Sequence, residues 1–341
     1  MKKTELLIIG QGLAGSCLIN LIKDRDFLVI DKGLNYSSSF NAGGLVNPII
    51  FKRLNKSYRV DFYKYAYDFY KEFNSDLLVD KEIIKIFNSD VQKKDFLIKA
   101  QEDNTFLSNE IIYDIKNLEF KYGLKIKNSF YIKIKNFLKE TKLKFKDKII
   151  KDDFDISLVK NKIFKDIKFD KLILCCGYLE KNIDKAFKKV LGDIILIESN
   201  LNIENPLNFN NYLIPYKKNQ YLFGASYVWD NEEINAFILK NDDIYKNKYF
   251  KQKRDIRINN MFKNFNNYVK CDYTIKEINT SIRPSSLDRR PILGQIAKDI
   301  YIFNGLGTKG IALAPKLASL LLDHIYKNEN ILQELDSSRF I

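Results

Sequence analysis

The sequence predicts an α/β fold: a parallel sheet with helices packed on it, and a second, α+β unit with a mostly antiparallel sheet inserted into the first. Three stretches carry that expectation. Thr4–Asp31 runs TELLIIGQGLAGSCLINLIKDRDFLVID, a short apolar strand, a glycine turn, an apolar helix and a second strand. Asp170–Gly177 (DKLILCCG) is another buried apolar run that stops on glycine. Near the far end, Ile300–Asn304 leads through GLGTKGIALAP into a long apolar helix, repeating the strand, turn and helix of the start. Strands joined through helices make a parallel sheet.

The first turn is Gly10-Gln11-Gly12-Leu13-Ala14-Gly15, a G-x-G-x-x-G spacing. Gly10 permits the tight turn, Gly12 lets the backbone approach a pyrophosphate, and Gly15 lets helix and strand pack closely. The helix that follows offers unpaired N–H groups and the positive end of its dipole to an anion. The second strand ends on Asp31, placed where a carboxylate accepts hydrogen bonds from ribose hydroxyls. Together these parts predict a Rossmann-like dinucleotide site with Gly10, Gly12, Leu13, Ala14, Gly15, Asp31 and Lys32 as contacts.

Composition sets the outer bounds. A chain of 341 residues is long for one core, so two interleaved domains are expected. The net charge of +14 invites a polyanion partner, but it comes mostly from lysine spread along the whole chain. Compositional bias accounts for it equally well. Four cysteines (Cys17, Cys175, Cys176, Cys271) show no framework spacing and read as small buried thiols in a reducing compartment. With one histidine, His324, and no Cys/His cluster, no metal site is expected. The N-terminal apolar run is too short for a signal peptide, and no window reaches a membrane span. The expected location is cytoplasmic.

In chain order, Lys32–Asn35 reads as a turn. Ser37–Pro48 (SSSFNAGGLVNP) is a hydroxyl- and glycine-rich loop suited to the same ligand, through hydroxyl and N–H donors and the backbone at Gly43-Gly44. Aromatic residues at 58, 62, 65, 69 and 73 form a helical stripe whose default role is core packing. Asp80–Tyr131 alternates strands at Ile83–Phe87 and Phe130–Ile134 with a charged helix near Asp90–Glu102. A helix follows at Lys133–Lys142 and a strand at Leu143–Ile150. Val190–Glu198 and Asn211–Val228 read as strands, the latter a hairpin turning at Lys217–Asn219. Glu232–Phe265 is helical.

The glycine turn, the acid-ended strand and the A-G-G-x-x-x-P loop together resemble the D-amino-acid oxidase superfamily of flavoproteins, glycine and sarcosine oxidase branch. The segments Thr280–Gly294 (TSIRPSSLDRRPILG) and Asn304–Pro315 (NGLGTKGIALAP) resemble that family's R-P-x-x-x-D-x-x-P-x-x-G and N-G-x-G-x-x-G-x-x-x-A-P. Asp31 stands where the family usually has Glu. The resemblance implies FAD, held non-covalently, with Ser38, Ser39, Gly43, Gly44, Leu45, Ile149, Gly177, Gly305, Gly307, Thr308, Lys309, Gly310 and Ile311 as further contacts. Residues 1–76, 133–188 and 279–341 would form the FAD-binding domain, and 77–132 with 189–278 the substrate domain. Arg283 matches the position that grips a substrate carboxylate, for which a planar guanidinium is suited. Lys309 is a second candidate catalytic cation. Tyr227, and with it Trp229, could shape the pocket.

The implied reaction oxidises the C–N bond of a small-molecule amino acid or secondary amine by hydride transfer to flavin N5. The imine then hydrolyses, and oxygen or another acceptor takes the electrons. The absence of a well-placed histidine base suits a neutral amine that gives up hydride directly. Two alternatives stay open. The chain is also similar to the FAD domain of the bifunctional enzyme that trims the carboxymethylaminomethyl group of tRNA wobble uridine, though without a methyltransferase domain; tRNA is then a partner. The other is a flavoprotein that binds FAD as an electron carrier or structural module.

Overall fold

The computed structural model describes residues 1–22, 24–33, 36–50, 56–239 and 247–341, with the side chains of 50 and 56–59 outside the description. The first sheet runs in the order Ile292–Ala297, Ile300–Asn304, Ile167–Leu174, Lys2–Ile9, Phe27–Asp31, Ile149–Lys151. Its inner pairings are parallel, and Ile292–Ala297 adds an antiparallel edge. Lys2–Ile9 lies at its centre because its second half is covered on both faces: Leu6, Leu7, Ile8 and Ile9 are 0–5% exposed. Helices Leu13–Leu21 and Gly310–Lys327 pack together with Lys56–Phe73 into one core with this sheet.

The second sheet has eight strands, ordered Tyr273–Ser286, Phe187–Ser199, Gln220–Gly224, Asn211–Lys217, Leu207–Phe209, Ile83–Phe87, Tyr122–Ile126, Leu107–Ile112. All neighbours are antiparallel except Leu207–Phe209 with Ile83–Phe87. Side chains alternate across it. Ile195, Ile197, Leu213 and Phe223 pack on helix Lys248–Tyr268 through Phe262 and Phe265. Ile194, Tyr212, Ser281 and Arg283 point the other way, into a cavity. A third, small sheet joins Leu45–Val46, Phe130–Ile132 and Leu78–Asp80.

The expected α/β architecture with a separate, mostly antiparallel sheet is present, and four local readings need correction. The expected strand Leu143–Ile150 is a helix end (to Lys144), a short 3-10 turn at Lys146–Lys148, and only then strand Ile149–Lys151, which pairs with Val29–Asp31. The domain boundary at 279 falls inside strand Tyr273–Ser286, whose register with Phe187–Ser199 is continuous past that point, so Arg283 belongs to the antiparallel sheet. In helix Lys56–Phe73 the stripe packs in the core through Phe62, Phe69 and Phe73, but Tyr65 meets Lys316 instead, and Tyr70, outside the stripe, is buried and bonded to Ile311 O at 2.9 Å. Among the thiols, Cys176 and Cys271 are half-buried where full burial is expected. Leu34 and Asn35 of the expected turn, the Tyr58 side chain and residues 240–246 of the helical stretch lie outside the described residues.

Candidate active site

A cavity of about 640 Å³ opens at the C-terminal ends of the parallel strands, between them and the inner face of the antiparallel sheet. That is where open α/β sheets bind ligands. Its floor is the first glycine turn. Gly10 has φ +100°, and a Cβ there would stand 2.5 Å from Cys175 O; a Cβ on Gly12 would meet Ser39 Oγ at 3.2 Å. Leu13 N donates to Ser39 Oγ at 3.0 Å, so the hydroxyl loop already caps the helix N-terminus. Gly10, Gly12, Leu13 and Ala14 all line the cavity. Gly15 does not: its missing Cβ would lie 2.0 Å from Gly10 O, and its place is the seam between helix and strand.

Asp31 closes one end. Its two carboxylate oxygens accept from Gln11 N at 2.7 Å and Gly33 N at 2.8 Å, holding both loops, and the remaining lone pairs stay open to a hydroxyl. Lys32 lines this end while its ammonium pairs with Asp153 at 2.7 Å. Ser38, Ser39, Gly43, Gly44 and Leu45 form one wall. Gly44 (φ +77°) passes so close to Ile132 that a Cβ would lie 2.0 Å from its carbonyl oxygen. Ile149 is not part of the wall. It pairs with Val29, before the strand end, and the residues just past that end, Asp152, Asp153 and Phe154, line the cavity instead.

The other end is built from the chain's C-terminal third. Gly177, Gly307, Thr308, Lys309, Gly310 and Ile311 line it. Gly305 does not; with φ +71° it turns the chain beside Ile292. Helix Gly310–Lys327 therefore starts at the cavity, as helix Leu13–Leu21 does, and two positive dipole ends converge there. Arg283 projects from the antiparallel sheet and is 9% exposed. Its Nη2 donates to Ser226 O at 3.1 Å, its guanidinium carbon lies 4.6 Å from the Tyr227 ring centre, and its Nη1 is buried with no hydrogen-bond partner among the described residues. Tyr227 lines the mouth, 53% exposed. Trp229 faces a neighbouring surface groove. His324 is at the end of the last helix, bonded to Glu329 O at 2.8 Å.

The sequence reading missed Asn208 and Gly192, and it took Tyr212 only as part of a Y-x-I-P strand resembling the sheet on the family's substrate side, without naming it as a site residue. A Cβ on Gly43 would meet Tyr212 Cε2 at 3.0 Å, so the Gly43-Gly44 turn runs over that ring, whose phenol burial holds neutral. Period-two alternation in NYLIPYK would have paired Tyr212 with Ile214 on one face. Nothing in the sequence marks Gly192. Cys175 and Cys176, expected as packing residues, also line the cavity, and burial pushes both thiols up.

These features define a site for a long anionic ligand beside an apolar, arginine-ended chamber. The family model described as DAO, FAD dependent oxidoreductase, matches residues 141–324, more than half of the chain, and the protein belongs to that family. FAD is thus its cofactor. The cradle fits it: missing Cβ atoms at Gly10 and Gly12 leave room for a pyrophosphate at the first helix N-terminus, and the Asp31 carboxylate stands where a ribose hydroxyl would reach it. Over 94% of its length the chain is 21% identical to the tRNA 5-methylaminomethyl-2-thiouridine biosynthesis bifunctional protein MnmC of Idiomarina loihiensis, and it spans 55% of that relative. Among solved structures, glycine oxidase from Geobacillus kaustophilus superposes with a TM-score of 0.78 at 14% identity, covering 100% of both chains. L-proline dehydrogenase from P. horikoshii gives 0.72 at 15%, over 99% and 98%. L-alpha-glycerophosphate oxidase from Mycoplasma pneumoniae, with FAD bound, gives 0.71 at 14%, over 97% and 96%. Among the described residues, no helix is long and apolar enough to cross a membrane.

Proposed function

We propose that the protein oxidises the C–N bond of an amino acid or a secondary amine bearing a carboxylate. One observation carries this reading: a buried guanidinium, Arg283, lines the cavity with one nitrogen unpartnered and no acidic partner among the described residues. A buried charge without a counter-ion is costly, and a substrate carboxylate removes that cost. Bound FAD supplies a two-electron acceptor for the carbon–hydrogen bond next to nitrogen. Arg283 binds and orients the carboxylate, which fixes where the amine carbon lies. Tyr212 walls the chamber, and Tyr227 stands at its mouth. The N-terminus of Gly310–Lys327, with Lys309 just before it, sets a positive field that favours negative charge in the chamber.

FAD contacts are assigned to Gly10, Gly12, Leu13, Ala14, Asp31, Ser38, Ser39, Gly43, Gly44, Leu45, Gly177 and Gly307–Ile311. The cofactor is read as non-covalent, because no cysteine lies near Arg283 or Gly307 in the sequence. Four free cysteines support a cytoplasmic location. Titrating the flavin of the holoenzyme anaerobically with amino acids and with amines lacking a carboxylate tests the reading.

A second reading has its own support. The relative that matches nearly the whole chain is named for tRNA modification, and the net charge of +14 suits a polyanion. The carboxymethylaminomethyl group is itself a secondary amino acid, so Arg283 keeps its role.

A further inference from the structure

Behind Arg283 the antiparallel sheet holds a chain of buried polar groups that does not touch the cavity. Ser226 links it to the guanidinium, accepting from Arg283 Nη2 through its carbonyl oxygen. Its hydroxyl donates to Asp193 Oδ2 at 2.7 Å and accepts from Asp193 N at 2.8 Å, and its own N–H donates to Asp193 O at 3.2 Å. Three bonds to one residue leave Ser226 little freedom. Asp193 is 0% exposed and fully engaged: Oδ1 also takes the Thr280 hydroxyl at 2.6 Å, and Oδ2 takes Arg257 Nε at 2.5 Å. Arg257 pairs in turn with buried Glu233.

Gly192 completes the arrangement. A Cβ there would stand 2.3 Å from Arg283 Nη2 and 2.4 Å from Ser226 O, so the guanidinium lies in a slot only glycine leaves open. Asp193, Ser226 and Gly192 are absent from the cavity wall, yet each bears on the geometry of Arg283. A buried carboxylate is tolerated only with its hydrogen bonds satisfied, as the oxygens of Asp193 are, and such bonds hold their partners in place. A long arginine side chain has rotamer freedom to lose on binding, and fixing it beforehand removes that cost.

We propose that Asp193 is the positioning residue of the carboxylate site: through Ser226 it holds one nitrogen of Arg283 against the sheet and turns the other toward the substrate. This rests on the reading of Arg283 given above. The two are separated by measuring acetate binding to the FAD-loaded enzyme, followed by the change in the flavin spectrum. Asp193→Asn and Ser226→Ala are each expected to weaken acetate about tenfold, with FAD affinity within about twofold, and Ser226→Thr, which keeps the hydroxyl, to restore most of the loss. If Arg283→Ala weakens acetate while Asp193→Asn and Ser226→Ala bind it like wild type, the proposal is overturned and the Arg283 reading stands. Lowered melting temperatures with unchanged acetate affinity overturn it as well, because a purely structural Asp193 does just that. If Arg283→Ala binds acetate like wild type, the Arg283 reading itself falls, and the proposal with it. Should Asp193→Asn fail to fold, Ser226→Ala decides alone, since it leaves the Asp193–Arg257 pair in place.

Discussion

Gly310 stands against Leu13: a Cβ on Gly310 would lie 2.9 Å from Leu13 Cδ2. Through that contact the helices that begin near the two ends of the sequence start side by side at one cavity. Each helix N-terminus leaves N–H groups without intrahelical partners. Two of them at one cavity make an anion site stronger than either alone.

The glycines at this junction are not equivalent. Gly10 has φ +100° and its Cβ would strike a backbone carbonyl, whereas Gly310 would meet only side-chain atoms, Leu13 Cδ2 at 2.9 Å and Leu306 Cβ at 3.3 Å. Strain of about 1–3 kcal/mol at Gly10 predicts FAD binding weakened by about 5- to 150-fold in Gly10→Ala. Gly310→Ala should stay within about threefold, because Leu13 can move. Titration of FAD into the two apoproteins decides; equal losses would contradict the geometry.

Arg283→Ala removes the guanidinium from a buried site. Truncating one member of a buried charged pair costs about 2–5 kcal/mol, so kcat/KM for a carboxylate-bearing amine should fall by about 30-fold or more. The loss should appear largely in KM, as lost ground-state binding does. An amine lacking the carboxylate should lose little. Steady-state kinetics on a matched pair of substrates gives the answer, and equal losses on both would refute the assignment.

Stability should decline at alkaline pH. Burial pushes the Cys17 and Cys175 thiols up from an ordinary value of 9.0, and the Tyr70 phenol up from 10.0. Above about pH 9 the unfolded chain releases protons that the folded chain keeps. The contribution of these groups is therefore complete below that pH and is lost as pH rises past it, by about 1.4 kcal/mol per pH unit for each thiol. Denaturant midpoints between pH 8 and 10.5 should fall, and fall less steeply in Cys17→Ala. An unchanged slope in that variant would rule out Cys17 as a source.

Should the substrate be carried on tRNA, the protein binds unmodified tRNA with an affinity that drops steeply between low and physiological salt. Binding that is absent at low salt removes that reading and leaves the small-molecule one.

Much of this was legible in the sequence because it rests on local spacing. Gly10, Gly12 and Asp31 sit in one βαβ unit, and Gly307–Ile311 in one turn, so the chain order already places them at the cavity. Ile149 and Gly305 went astray because register, not composition, decides which residue near a strand end faces the cavity: a shift of a few positions brings Asp152–Phe154 forward in place of Ile149. Gly192, Asp193 and Ser226 carried no signal. They come together only through the pairing of strands distant in sequence, and each alone is an ordinary residue in a β segment.

The central claim is that Arg283 selects a carboxylate-bearing amine for oxidation. Anaerobic mixing of the holoenzyme with a panel of amino acids, N-alkyl amino acids and amines without a carboxylate, read by loss of the flavin's visible absorbance, tests it most directly. The account predicts bleaching by one or more carboxylate-bearing members, abolished or strongly slowed in Arg283→Ala. Bleaching by simple amines equally well in both proteins, or by nothing on the panel, would contradict it.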